Sequence, residues 1–213
     1  MATYDLEEQE KIDELKSWWE VYGTLVIVIA AICIAGVFGT QLWNHYQKQQ
    51  SQQAAELFIS LQQIELSKDP KKIGDAARLL MEGFSDSGFA SRAAMIAAYA
   101  NVDIDDTQNT RGFLQWVLDN SKENELRDLA RLRLVSLLLD QKRHDEALKL
   151  LGNEHAESFD GLYEDLKGDI FTAKGNIPEA RVAYQIAINK IGIKSGYRNI
   201  IQMKLDALIV LKQ

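Results

Sequence analysis

The chain has 213 residues, 46% of them hydrophobic, 26% charged and 8% aromatic, which is too apolar for a disordered tail and long enough for one or two domains. A single cysteine, Cys33, and the lack of any glycine period exclude a cystine scaffold and a fibrous protein. The formal charge of −7 argues against nucleic acid as a partner, since that requires a basic patch, and the mean hydropathy of −0.21 describes a soluble protein only until the chain is divided.

Pro70 and Pro178 are the two prolines in a chain rich in Ala, Leu, Gln, Lys and Glu, so its elements are expected to be long helices. The first twenty residues hold seven acids (Asp5, Glu7, Glu8, Glu10, Asp13, Glu14, Glu20) against Lys11 and Lys16. That acidity is the opposite of the basic start of a cleaved secretory signal. From Val21 to Gln47 no residue is formally charged, and Leu25 to Phe38 is apolar throughout apart from Gly36. A helix of that length rises roughly 40 Å, against about 30 Å of bilayer hydrocarbon. Trp18 and Trp19 before the run, with Trp43 and Tyr46 after it, place amphipathic rings at both headgroup levels. The chain is therefore read as an acidic tail over 1–20 and a transmembrane helix over 21–46. Ala31, Ala35 and Gly39 recur every four residues in that helix and are candidate contacts for another membrane helix.

Without its first twenty residues the chain carries 22 bases and 24 acids, a net charge of −2. Residues 47–69 are rich in Gln and Ala and place Ala54, Leu57, Phe58, Leu61 and Ile64 at helical spacing, which predicts an amphipathic juxtamembrane helix ended by Asp69-Pro70. Over 70–213 the helical period returns in segments of one to two dozen residues, and no segment alternates long enough to be a strand. Short helices in series point to a repeat. The clearest unit places Gly168, Phe171, Gly175, Ala180, Tyr184 and Ala187 at the small/large spacing of a tetratricopeptide repeat. Gly168 and Ala180 let two helices approach, Phe171 and Tyr184 fill the space beside them, and Gly175 closes the turn. Asn176 and Glu179 stand at capping-box spacing. A second copy 33 residues upstream is marked by Arg143 to Leu148, including Ala147. A third is eroded, with Thr110 where alanine is expected. Residues 70–82 and 197–212 are expected to cap the array. The fold class is all-α: one N-terminal transmembrane helix followed by a tetratricopeptide-repeat-like solenoid.

Chemistry is sparse. Asp103, Asp105 and Asp106 resemble the start of a calcium loop, but Gln108 replaces the required glycine and Leu114 the closing glutamate. His45, His144 and His155 form no zinc spacing, and Cys33 lies inside the apolar run, away from any base. No phosphate loop or nucleophile elbow is present, so no catalytic, cofactor-binding or metal-binding residue is expected. Some such repeats hold a C-terminal carboxylate with first-helix lysines and asparagines; Asp165 and Asp169 at those positions have the wrong sign.

The acidic stretch Glu7-Glu8-Gln9-Glu10-Lys11-Ile12-Asp13-Glu14-Leu15-Lys16-Ser17-Trp18-Trp19, a span ending in Trp43-Asn44, a Gln/Ala-rich helix, and repeats closing on Leu166-Lys167-Gly168-Asp169 and Lys174-Gly175 together resemble the YfgM family, ancillary subunits of the SecYEG translocon. Val21-Tyr22-Gly23-Thr24 departs from the polar Asn-Gly entry more usual in that family. The resemblance implies a non-enzymatic protein of the Gram-negative inner membrane, N terminus in the cytoplasm and repeat domain in the periplasm. Its implied partners are SecYEG, the membrane-anchored chaperone PpiD, and newly translocated periplasmic and outer-membrane proteins. A different class of function, open on the same residues, is a membrane-tethered regulator whose acidic tail binds a response regulator.

Overall fold

The computed structural model describes residues 2–102 and 104–210. Helix α1 spans Ala2–Glu65, and eight further helices follow among the described residues: α2 Pro70–Gly83, α3 Gly88–Val102, α4 Thr107–Asn120, α5 Asn124–Asp140, α6 His144–Leu151, α7 Asp160–Ala173, α8 Ile177–Lys190 and α9 Tyr197–Val210. A single 3-10 turn, Glu157–Phe159, precedes α7, and no described residue lies in a strand. The chain is all-α and divides into two units, Met1–Gln52 and Gln53–Gln213.

The first unit is helical throughout its described length. Ile27, Ile29, Ile32, Ile34, Val37 and Phe38 are each more than half exposed, and 6% of the most apolar stretch is buried. Protein surfaces in water do not leave such a continuous apolar sleeve uncovered, and the stretch is long enough to cross a bilayer. Thr40, the hydroxyl near its end, donates to the Val37 carbonyl at 2.9 Å and so needs no water partner. The rings bracketing the stretch sit in tilted contact, Trp18 with Tyr22 at 5.7 Å and Trp43 with Tyr46 at 6.4 Å. Gly23 is buried because the Trp19 indole, one turn earlier, lies across it.

In the second unit the remaining turns of α1 bury Ala54 and Leu61. The helix ends where Lys68 turns to φ +53°, and Asp69 then caps α2, accepting from the Lys71 and Lys72 amides at 3.1 and 3.3 Å with Pro70 in the first turn. Successive helices pack as neighbours, α2 on α3, α3 on α4, α4 on α5, α5 on α6, α7 on α8 and α8 on α9. Helix α3 is buried on several sides at once, and the alanines Ala90, Ala93, Ala94 and Ala97 let its neighbours come close. Leu80, Leu138 and Ile170 are fully buried, each contributing roughly 1.5–3 kcal/mol over an exposed position. Ile73, Ala77 and Leu80 of α2 belong to the main core. A second apolar cluster gathers Ala180, Tyr184, Ala187 and Ile188 with Ile201 and Leu208 of α9.

Candidate interaction surface and repeat architecture

The repeat is written most plainly in its turns. Three times the first residue past a positive-φ position donates its amide to a carbonyl five residues back: Asp106 to Asn101 at 3.0 Å, Arg143 to Leu138 at 2.8 Å, and Asn176 to Phe171 at 2.8 Å. The residues between are Asp105 at φ 57°, Lys142 at φ 60° and Gly175 at φ 77°. This geometry closes the C-terminal end of a helix by satisfying its last carbonyls. Five residues beyond each stands a buried small residue, Thr110, Ala147 or Ala180. Thr110 fits the alanine slot because its hydroxyl donates to the Ala98 carbonyl at 3.4 Å. Lys68 and Ile73 stand 37 residues before Asp105 and Thr110, so α2 with the end of α1 forms an earlier, more degenerate copy.

At Gly168 helices α7 and α8 approach closely. A Cβ there would fall 2.5 Å from Cδ1 of the Tyr184 ring, which fills the space the missing side chain leaves. Tyr184 then donates from its hydroxyl to Asp169 Oδ1 at 2.7 Å. Phe171 packs on the second apolar cluster, and Ala187 is fully buried in it. The capping box expected of Asn176 and Glu179 is not formed: Asn176 occupies the N-cap position of α8 without a side-chain hydrogen bond, and Pro178 holds the first turn instead.

A polar device unannounced by the apolar periodicity ties alternate helices together. On α5, buried Asp128 accepts from the Tyr163 hydroxyl of α7 at 3.1 Å, from the Ala156 amide at 2.9 Å and from Arg131 at 2.7 Å. On α7, buried Asp165 accepts from the Tyr197 hydroxyl of α9 at 2.6 Å and from Lys204 at 2.9 Å on both oxygens. In both pairs an aspartate of one helix holds the tyrosine of the helix two places on, with a cation closing the pair. Burial pushes the Tyr163 phenol up to about 12, with Arg131 opposing, and pushes Tyr184 and Tyr197 upward as well. Burial also raises the Asp165 carboxyl, against the hydrogen bonds from Tyr197 and Lys204. Burial alone would depress Lys204, yet the Asp169 and Asp165 carboxylates outweigh it and hold its pKa above the ordinary value. The two partners thus pull in opposite senses. Donors on both Asp165 oxygens, with Lys204 also reaching Asp169 at 2.8 Å, decide for the ionised pair at neutral pH. Asp165 therefore fixes α9 and does not face a ligand.

The other residues singled out by sequence fall as follows. Ala31, Ala35 and Gly39 are exposed on α1, and nothing lies within 4 Å of a Cβ added at Gly39. Cys33 is exposed on the same helix and unpaired. Asp103 lies outside the described residues; Asp106 caps α4 through the Asn109 amide at 3.1 Å, which holds its carboxyl below the usual range. No cluster of metal-binding side chains occurs among the described residues. His155 stacks on the Tyr163 ring at 3.7 Å and faces Asp160, a structural position.

The tetratricopeptide repeat-like domain family matches residues 16–210. The ancillary SecYEG translocon subunit of Neisseria gonorrhoeae is 30% identical over 204 residues, covering 95% of this chain and 98% of that protein. The proteins of the same name from Haemophilus influenzae and Escherichia coli are 27% and 22% identical over 86% and 95% of the chain and 90% and 97% of their own lengths. No solved structure matches the chain. The apolar first helix, the repeated turns and the end-to-end likeness agree: the chain belongs to the YfgM family, a tetratricopeptide repeat-like family whose curated members bear the name ancillary SecYEG translocon subunit.

Proposed function

We propose that the chain is a non-enzymatic ancillary subunit of the SecYEG translocon that acts with PpiD as a scaffold or co-chaperone, passing newly translocated proteins to periplasmic folding factors. The observation that carries this reading is the likeness to the Neisseria gonorrhoeae relative over 98% of that protein's length, a span that takes in both the apolar helix and the repeats. Residues 1–20 are the cytoplasmic tail, 21–46 the span in the inner membrane, and 47–69 with 70–213 the periplasmic part. Lys11 and Lys16 before the span against Lys48 after it favour, by a small margin, the N terminus in the cytoplasm. A repeat surface built without a cluster of chemistry-bearing side chains suits binding rather than reaction.

Ala31, Ala35 and Gly39 are the proposed contact with a translocon or PpiD membrane helix, because small residues let helix backbones approach within lipid. Photocrosslinkers at each of these positions should capture SecYEG or PpiD spans. Capture of neither from any of the three, with the chain inserted and stable, overturns the assignment. Deleting residues 2–16 separates it from a regulator: the co-chaperone keeps its partners, whereas a regulator loses its response.

A further inference from the structure

The first two turns of α5 and the loop that follows α6 bound a cavity of about 520 Å³ whose lining, Ala156 apart, is polar or charged. Its volume falls within the range of small-molecule sites, about 300–1,000 Å³. Arg131 is the unusual member of that lining. Its side chain is 14% exposed, and a guanidinium carries five N–H donors. One nitrogen, Nη1, makes all of its contacts with the protein: Asp128 Oδ1 at 2.7 Å, the Glu154 carbonyl at 3.2 Å and the Tyr163 hydroxyl at 2.7 Å. Nε and Nη2, with three donors between them, have no acceptor among the described residues. No buried side-chain nitrogen among those residues lacks a partner, so these two atoms reach open space, and the open space that Arg131 lines is the cavity. Nε and Nη2 form the edge with which a guanidinium grips a carboxylate through two parallel hydrogen bonds.

The other charges decide what fits. Arg127, one turn before Arg131 and roughly 6 Å along the helix, lines the same cavity and donates through Nη2 alone, to Asn124. Asp128 is fully occupied: Oδ1 accepts from Arg131 and Tyr163, and Oδ2 from the Ala156 amide. Glu154 is not. Its carboxylate has no hydrogen bond or ion pair among the described residues, although two guanidinium groups line the same cavity. The cavity therefore offers unmet cationic donors on α5 and a separate unmet carboxylate on the loop. An anion alone would meet the repulsion of Glu154, and a cation alone that of the two arginines. A molecule with both charges satisfies each wall.

We propose that this cavity binds a small zwitterion of the α-amino acid class, a free amino acid or a short peptide. Its carboxylate lies on the open edge of Arg131 and on Arg127, and its ammonium on Glu154.

The test is a ligand-detected NMR titration of the full chain in phospholipid nanodiscs, with empty nanodiscs as the baseline. The probes are L-glutamine, whose polar side chain suits the lining, glycyl-L-glutamine, N-acetyl-L-glutamine, L-glutaminamide and inorganic phosphate. The wild-type chain should bind L-glutamine or the dipeptide with a dissociation constant below about 1 mM. The tighter of the two identifies the source as a free amino acid or a peptide. The acetylated and amidated forms, each lacking one charge, should bind at least tenfold more weakly. Glu154→Gln should weaken L-glutamine about tenfold without weakening N-acetyl-L-glutamine, whereas Arg127→Gln should weaken both. A damaged fold cannot separate two ligands in that way. Absence of binding by both zwitterions, acetylated glutamine or phosphate bound as tightly as the zwitterion, or undiminished binding of the zwitterion by either variant overturns the proposal.

Discussion

Ile32 on α1 and Ile170 on α7 are the same side chain in opposite surroundings, one 65% exposed and the other fully buried. Along the apolar stretch of the first unit the helix is apolar on every side, and 6% of that stretch is buried. In the second, apolar residues take one or two faces, alanines mark the close contacts, and the gaps between helices are bridged by aspartate, tyrosine and a cation. The first arrangement leaves its apolar surface to lipid, where the helix satisfies its own backbone hydrogen bonds. The second must satisfy its polar groups inside the protein, so each buried polar side chain carries a large penalty when its partner is lost.

The sharpest way to break that contrast is at Lys204. Lys204→Met leaves Asp165 buried with one partner fewer, and the second unit should lose about 3–5 kcal/mol, read as a shift of the denaturant midpoint in detergent with early hydrogen exchange across α9. Asp165→Asn added to Lys204→Met should recover part of it. Retained stability in the single variant would mean that the pair contributes nothing. A crossed pair of substitutions comes next. Leu80→Ala should cost about 3 kcal/mol of unfolding free energy and leave membrane extraction unchanged. Ile32→Arg should cost about 3 kcal/mol of insertion and leave the unfolding midpoint where it was. A midpoint that moves with Ile32→Arg would join the two regions that the structure separates.

Smaller effects refine the second half of the comparison. The Tyr163 phenol is raised to about 12 in the fold, so it stays protonated there after the unfolded chain has begun to ionise. Bound protons then favour the folded state, whose stability should fall as pH rises from about 10 through about 12. Tyr163→Phe should flatten that alkaline limb in a series of urea midpoints between pH 8 and 12, and an unchanged slope would exclude the assignment. Smallest are the turns. Lys142 holds a left-handed conformation that glycine adopts without strain, so Lys142→Gly should add about 0.5–1 kcal/mol while Gly175→Ala removes about 1 kcal/mol.

The two regions also differed in how far their sequences could be read. An uncharged run bracketed by Trp18, Trp19, Trp43 and Tyr46 is long enough to cross a bilayer, so the apolar helix is plain in the sequence. Gly168, Gly175 and Ala180 carried the repeat because close helix approach and a positive φ leave few other residue types. The earlier copies were harder, since Lys142 and Asp105 do the work of Gly175, and Thr110 that of Ala180, each at a tolerable cost. The Asp128–Tyr163 and Asp165–Tyr197 links are not legible in the sequence, because apolar periodicity gives no weight to a charged residue whose partner lies 32 to 35 positions away. The signal available was an aspartate on an otherwise apolar helix face, followed about one repeat later by a tyrosine.

The proposed topology has α1 crossing the inner membrane and the repeats in the periplasm. Met203, 72% exposed on α9, reports it when changed to cysteine in a Cys33→Ser chain and treated with a membrane-impermeant maleimide. Labelling in intact spheroplasts, and protection in inverted vesicles until detergent is added, is the expected result. Protection in spheroplasts with labelling in inverted vesicles would place the repeats in the cytoplasm and contradict the account.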